Sequence, residues 1–135
     1  MLRLIAFLTL GAGLVYGCDC VSPNVRDARK HADIVFRGRV TGFRDGGFGR
    51  VVVFTVDRVW KGDVPQTFEM PAFKETTACI GFWPTFLEVG SYLLVYARRQ
   101  GDPADYFTDI CSRTALVETS KDFVQLGPGR KPNTK

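Results

Sequence analysis

A single histidine, His31, occurs among the 135 residues, and no glycine-rich motif of the kind that binds a phosphate is present. His31 follows Lys30 at the end of a predicted helix, a position typical of a solvated surface side chain. We therefore expect neither a metal triad nor a Ser-His-Asp arrangement from it. These absences favour a binding protein over an enzyme, with no cofactor of its own.

The chain also lacks an acidic segment with the spacing of a calcium loop. Asp102, Asp105 and Asp109 lie in and after a turn, and Pro103 interrupts the run. We interpret these carboxylates as ordinary solvated loop residues.

After residue 17 no apolar run reaches the length of about 20 residues that a membrane span needs. The first 17 residues, in contrast, contain a positive charge at Arg3, an uncharged apolar stretch and a small residue at the end. This order is typical of a secretory signal peptide, with cleavage expected before Cys18. Residues 15–18 also partly resemble a bacterial lipobox, which would attach a lipid anchor at Cys18. We expect a secreted or extracellular protein, located in the periplasm or at the cell surface if the host is bacterial.

Disorder of the whole chain is excluded by composition, because 45% of the residues are hydrophobic, 13% are aromatic and only 24% are charged. One domain is expected over residues 18–126. Residues 127–135 (GPGRKPNTK) contain no apolar side chain and are predicted to form a disordered basic tail. Without the signal peptide and this tail, the formal charge of +4 falls to zero, which argues against a nucleic-acid partner.

Four arginines, two on a predicted strand and two directly after another, are the remaining candidates for nucleic-acid binding. They are Arg37, Arg39, Arg98 and Arg99, and aromatic residues lie near them in the sequence. We interpret them as polar outer faces of strands, since an exported protein rarely meets nucleic acid.

The four cysteines, Cys18, Cys20, Cys79 and Cys111, are most simply two disulfides in an exported protein. A Cys18–Cys20 bond is disfavoured because so short a loop strains the bond geometry. Either remaining pairing ties the N-terminus to two later points of the chain. A four-cysteine zinc site is disfavoured because Cys79 and Cys111 are not part of paired knuckles.

Hydrophobic periodicity predicts an all-β domain with one or two short helices. A helix is predicted from Ser22 and Pro23 to His31, and a closing helix over residues 120–126. The predicted strands cover residues 34–44, 50–61, 66–70, 92–97 and 106–110, with Gly38 and Gly42 at bends. Five strands, the first two long and bent, favour a Greek-key barrel of the oligonucleotide/oligosaccharide-binding (OB) type. An immunoglobulin-like sandwich is the alternative, but it would need about seven short strands.

The cluster Phe82-Trp83-Pro84-Thr85-Phe86 beside Cys79 has two interpretations. Its aromatic side chains either belong to the core or form an exposed binding loop.

Several short motifs together resemble a known family, the netrin-like module, and specifically the N-terminal domain of the tissue inhibitors of metalloproteinases. In order they are Cys18-Asp19-Cys20, Ala32-Asp33-Ile34-Val35 with Gly38, Trp60-Lys61-Gly62, Cys79 with Gly81, Gly90-Ser91-Tyr92-Leu93, and Cys111. The resemblance extends over residues 18–126 and implies the same five-stranded barrel with its N-terminus tied down by two disulfides. The implied pairs are Cys18–Cys79 and Cys20–Cys111.

The resemblance also implies a function for the N-terminal segment. In that family the amine and carbonyl oxygen of the first cysteine, here Cys18, chelate the catalytic zinc of a metalloendopeptidase, and the next side chain, here Asp19, enters the substrate pocket. The implied contact ridge is Cys20, Val21 and Ser22, with Thr77, Ala78 and Cys79 alongside. We expect a monomeric inhibitor of a zinc protease. The alternative is a netrin-like adhesion or adaptor module that binds another extracellular protein through residues 82–86 or the arginine-bearing strands.

Overall fold

A computed structural model describes residues 17–47, 49–73, 79–101 and 104–134. Most of the expected signal peptide and the predicted contact residues Thr77 and Ala78 therefore lie outside the described residues. The elements in chain order are α1 (Val25–His31), β1 (Ile34–Gly46), β2 (Gly49–Lys61), β3 (Thr67–Ala72), a 3-10 turn (Pro84–Phe86), β4 (Tyr92–Gln100), β5 (Asp105–Phe107), β6 (Ala115–Leu116) and α2 (Phe123–Leu126).

The strands form an antiparallel sheet with the order β3-β2-β1-β4-β5, and β6 pairs with β4. The sheet curls so that side chains of its two outer strands meet, with the rings of Phe68 and Tyr106 5.7 Å apart. This order gives a partly open Greek-key barrel of the OB type and confirms the predicted all-β fold. Strand β6 is an addition, because two residues are too short to show a strand period in the sequence.

The long β1–β2 hairpin follows from alternating side chains that point to the barrel interior and to solvent. Phe36 of β1 packs edge-to-face against Phe54 of β2, with ring centroids 5.3 Å apart, and both are fully buried. The pairing register shifts beside Gly38 and Gly42, the two predicted bends. A methyl group at Gly38 would lie 3.1 Å from the carbonyl oxygen of Thr55, so glycine lets the two strands approach closely there.

A second, smaller core lies outside the barrel, where the two helices cover the outer face of the sheet. Its buried residues are Val25, Ala28, Ala32, Val35, Trp60, Leu94, Tyr96 and Leu126. Trp60 is central to it, because its ring packs 5.5 Å from that of Phe123 while its Nε1 donates a 2.8 Å hydrogen bond to the carbonyl oxygen of Gly127.

The C-terminal segment differs from the prediction, because residues 127–134 are not a disordered tail. Arg130 and Val59 exchange two backbone hydrogen bonds of 2.9 Å, and the amide of Asn133 donates to the carbonyl oxygen of Val64 at 3.1 Å. The segment therefore lies along the end of β2 and the turn that follows it. It needs no apolar side chains because backbone groups make the contacts.

The start of the first helix and the end of the third strand also differ from the prediction. The first helix is capped by Asn24, whose side-chain oxygen accepts a 2.8 Å bond from the amide of Asp27, and not by Ser22. Strand β3 continues through Pro71 to Ala72, which is possible because β3 forms a backbone ladder on one side only.

Candidate functional site

The N-terminal ridge, residues 18–22, lies on the surface before α1 and is held by both disulfides. Cys18 is bonded to Cys79 and Cys20 to Cys111, with Cα–Cα distances of 5.9 and 5.0 Å. This is the pairing that the family resemblance implies. Because Asp19 is the single residue between the two bonded cysteines, its backbone is fixed from both sides.

The two anchoring cysteines belong to chain segments that pair with each other. The amide of Gly81 donates to the carbonyl oxygen of Thr108 at 2.8 Å, and that of Ile110 donates to the carbonyl oxygen of Cys79 at 2.9 Å. Cys79 itself has a left-handed backbone with φ of 59°, which is uncommon for a residue other than glycine. The disulfide and this short ladder hold that conformation in place.

A buried cluster of hydroxyl groups supports the segment around Cys111. The Thr108 hydroxyl donates to the carbonyl oxygen of Tyr96 at 2.8 Å and lies 2.8 Å from the Thr114 hydroxyl. The Ser112 hydroxyl accepts a bond from the amide of Thr114, and Asp109 accepts one from the amide of Cys111 at 2.9 Å. Both cysteines that hold the ridge are therefore attached to well-connected backbone.

Arg113 joins the ridge to the second core. Its guanidinium donates to both carboxylate oxygens of Asp122, at 2.5 and 2.8 Å, and to the carbonyl oxygen of Pro23 at 3.0 Å. The hydrogen bonds to Asp122 raise the pKa of Arg113. Burial, with a hydrogen bond to the same carboxylate, raises the pKa of Tyr96 well above its ordinary value. Arg113 thus fixes the backbone where the ridge enters α1, a role that no sequence motif signals.

The ridge presents its side chains to solvent. Asp19 and Ser22 are exposed, and Val21 is 89% exposed, so these three predicted contact residues are accessible to a partner. Behind the ridge a mostly apolar cleft of about 370 Å³ is lined in part by Val21, Pro23 and Cys111.

The other predicted candidates are only partly available. The guanidinium of Arg37 forms two hydrogen bonds to Asp57 and lies over the ring of Tyr92, and Arg39 lies 4.5 Å from the same ring. Arg98 pairs with Asp109 at 3.6 Å. The side chains of Arg37, Arg39 and Arg98 therefore have partners on the barrel surface, whereas the side chain of Arg99 is exposed.

The aromatic cluster is divided between the core and the surface. Phe82 is buried and packs 6.0 Å from Phe54, whereas Trp83 is 46% exposed. The core interpretation is therefore confirmed for Phe82, and Trp83 lies at the surface, as the binding-loop interpretation requires.

Within the described ranges, no group of three or more His, Cys, Asp or Glu side chains could hold a metal ion. In the same part of the chain, none of the helices has the length and apolar character needed to cross a bilayer.

No protein-family model matches the chain, and no curated protein matches it in sequence.

Proposed function

We propose that the mature protein inhibits a zinc metalloendopeptidase through its N-terminal ridge. The observation that carries this proposal is the fixation of Cys18 and Cys20 by two separate disulfides, which leaves Asp19 exposed between them. A segment fixed in this way loses little conformational entropy when it enters a protease cleft. The proposal also draws on the resemblance of the Cys18-Asp19-Cys20 motif to the tissue inhibitors of metalloproteinases.

The chemistry of the ridge agrees with this role. Cleavage before Cys18 leaves an α-amine, whose pKa near 8 allows the free base to form at neutral pH. The nitrogen and the carbonyl oxygen of Cys18 then occupy two positions around the zinc of the protease and displace its catalytic water. No bond of the inhibitor is cleaved. The two disulfides are those of a protein in an oxidising compartment, which agrees with secretion.

Asp19 determines which proteases fit. Its carboxylate follows the zinc-directed residue and enters the substrate pocket, where burial of a charge without a partner is costly. We therefore expect the target to place a cationic or hydrogen-bonding group in that pocket. A protease with an apolar pocket should instead prefer a variant with a small hydroxylated residue.

The experiment compares three secreted proteins against a panel of zinc endopeptidases, after mass analysis of each N-terminus. They are the natural protein, Asp19→Thr, and a form with one extra alanine before Cys18. We expect the alanine form to lose inhibition, because its amine is displaced while its disulfides remain. For apolar-pocket enzymes, Asp19→Thr should inhibit at least about tenfold more strongly than the natural protein. An acylated Cys18, or no inhibition of any protease by the natural protein and Asp19→Thr, would refute the proposal.

A binding module without inhibitory activity is the second candidate, favoured by the exposed indole of Trp83. Ile80 and Val89, also exposed, belong to the same connection between β3 and β4. Tryptophan is among the side chains that most often anchor a protein partner. If Trp83→Ala removes binding to an extracellular protein while the alanine-extended form binds normally, the adaptor function is the correct one.

A further inference from the structure

The mostly apolar cleft behind the ridge, of about 370 Å³, takes no part in the zinc-directed chemistry of Cys18. Ala28 and Ala32 line it from α1, Tyr96 from β4 and Phe107 from β5. Its volume falls within the range of about 300–1,000 Å³ that is usual for small-molecule sites. The cleft is therefore large enough for one small organic molecule.

The walls of this cleft are fixed by contacts within the protein. On one side, the amide of Asp33, directly after α1, donates to the carbonyl oxygen of Ala97 at 2.9 Å, and the Asp33 carboxylate accepts a 2.7 Å bond from the amide of Arg99. On the other side, Cys111 is bonded to Cys20 of the ridge. The cleft is thus formed before a ligand arrives, so binding requires little further ordering of the chain.

Two exposed side chains, those of Arg98 and His31, bring nitrogen atoms to the cleft. The Arg98 guanidinium lies 3.6 Å from the Asp109 carboxylate, which is too long for a hydrogen bond. The guanidinium of Arg113, in contrast, donates to both carboxylate oxygens of Asp122 at 2.5 and 2.8 Å. The planar N–H groups of Arg98 can therefore still bind a carboxylate of a ligand through two parallel hydrogen bonds.

Asp109 is the one acidic side chain among the described lining residues, and both of its carboxylate oxygens face a donor. One oxygen accepts a 2.9 Å bond from the amide of Cys111, and the other faces Arg98. A cationic ligand would have to compete with Arg98 for that second oxygen. An anionic ligand would instead use donors that Arg98 still has, so charge complementarity favours an anion.

We propose that this cleft binds a small monocarboxylic acid with an apolar body. The body packs against the apolar walls, and the carboxylate lies toward Arg98 and His31. The ligand also covers part of Val21, which lines the cleft from the ridge and is 89% exposed, so apolar surface is removed from water. An inorganic anion would leave those walls in contact with water. The site is separate from the Cys18 amine, and its assignment does not rest on protease inhibition.

The test titrates the full secreted protein, without a histidine tag, with 2-naphthoate and with decanoate. Because His31 is the only histidine, its imidazole signals in the NMR spectrum report directly on the cleft. We expect these signals to shift and saturate for at least one carboxylate, with a Kd below about 1 mM. Two compounds with the same rings, 2-naphthylmethanol and 2-naphthylmethylammonium, should bind at least about tenfold more weakly than 2-naphthoate or not at all. Failure of both carboxylates to saturate, or equal affinity for either of the other naphthyl compounds, overturns the proposal.

Two variants with the same change in charge locate the carboxylate. Arg98 and Arg99 are neighbours on β4 whose side chains point to opposite faces, and only Arg98 lines the cleft. We expect Arg98→Met to weaken binding of the carboxylate about tenfold and Arg99→Met to change it less than about twofold. Equal losses would show attraction by net charge alone and overturn the assignment.

The form with one extra alanine before Cys18 separates this proposal from protease inhibition. Its disulfides remain, so it should bind the carboxylate as the natural protein does, although its inhibition is lost. Loss of carboxylate binding in this form would place the ligand at the N-terminal amine and overturn the cleft assignment. If the natural protein inhibits no protease, carboxylate binding should be unaffected, so the two proposals can fail independently.

Discussion

The guanidinium of Arg113 donates a hydrogen bond to the carbonyl oxygen of Pro23, 90 residues earlier in the chain, at a distance of 3.0 Å. The same guanidinium donates hydrogen bonds to both carboxylate oxygens of Asp122, which is only 2% exposed. One side chain therefore connects the N-terminal ridge, the second core and the start of α2. The disulfides attach the ridge to the barrel, and Arg113 fixes the direction in which the chain leaves the ridge.

Replacing Arg113 by methionine should lower the free energy of unfolding by about 3 kcal/mol, because the buried carboxylate of Asp122 would lose its cation. Urea denaturation of the oxidised protein measures this loss. Arg98→Met is the matched control, since its 3.6 Å ion pair with Asp109 is long and the Arg98 side chain is about half exposed, so the pair should contribute less than about 0.5 kcal/mol. Similar losses in the two variants would contradict the role given to Arg113.

Removal of either disulfide should leave a folded barrel of lower stability. The bonds Cys18–Cys79 and Cys20–Cys111 close loops of 61 and 91 residues, for which chain entropy predicts a contribution of about 4 kcal/mol each. We expect each paired Cys→Ser variant to unfold at lower urea concentration while keeping the near-ultraviolet circular dichroism of the barrel. The barrel core would persist because its packing involves neither bond. Loss of that signal in both variants would show that the core depends on the ridge.

Ionisation of Tyr92 should lower the free energy of unfolding at alkaline pH. Burial, together with a hydrogen bond to the Asp57 carboxylate, raises the pKa of Tyr92 to about 12. An unfolded tyrosine ionises near pH 10, so the unfolded chain releases this proton first. The stabilisation is therefore fully present below about pH 10 and is lost as pH rises toward 12.

Two measurements check this expectation: the phenolate absorbance of the folded protein, and urea denaturation at several values above pH 9. Tyr92→Phe should flatten the decline in stability. Asp57→Asn should move the ionisation of Tyr92 to lower pH, since the anion that opposes it is gone. An unchanged titration in Asp57→Asn would disprove the coupling of the two groups.

Gly129 tests whether the C-terminal segment is ordered against β2. Its φ is +64°, and a methyl group there would lie 2.9 Å from Nε1 of Trp60 and 3.0 Å from the carbonyl oxygen of Val59. Gly129→Ala should therefore cost about 1–3 kcal/mol of stability, from backbone strain and steric overlap. Gly47→Ala, with no atom within 4 Å of the added carbon, should change stability by less than about 0.5 kcal/mol. Thermal denaturation compares them, and two neutral substitutions would mean that the segment is free.

The strands were predictable wherever one face of the strand meets the core and the other meets solvent. Residues 34–44 and 50–61 alternate clearly, and the observed β1 and β2 differ from them by one or two residues at an end. Strand β6 and the cap at Asn24 were not predictable in this way. The first is too short for a period, and the second depends on Pro23 lying outside the helix.

The location of the basic residues on the folded protein could not be predicted from the sequence. Summed along the sequence, residues 18–126 are formally neutral, and the composition of residues 127–135 predicts that the basic residues there lie in a disordered tail. In the fold, the guanidinium of Arg130 donates to the carbonyl oxygen of Gly62, and the neighbouring Lys61 donates to the end of α1, so basic residues from separate stretches of sequence lie close together. Net charge has no position, whereas binding depends on local charge density.

The sequence by itself determined the fold class, the number of long strands and the presence of two disulfides, because hydrophobic alternation and cysteine count are local or compositional properties. Tertiary structure alone decided the partners: which segments carry Cys79 and Cys111 to the ridge, how Arg113 reaches Pro23, and where residues 127–134 lie. Those contacts join residues up to 91 positions apart. These contacts form only when the barrel closes. No periodic pattern in the sequence shows which polar groups and backbone segments come together when it does.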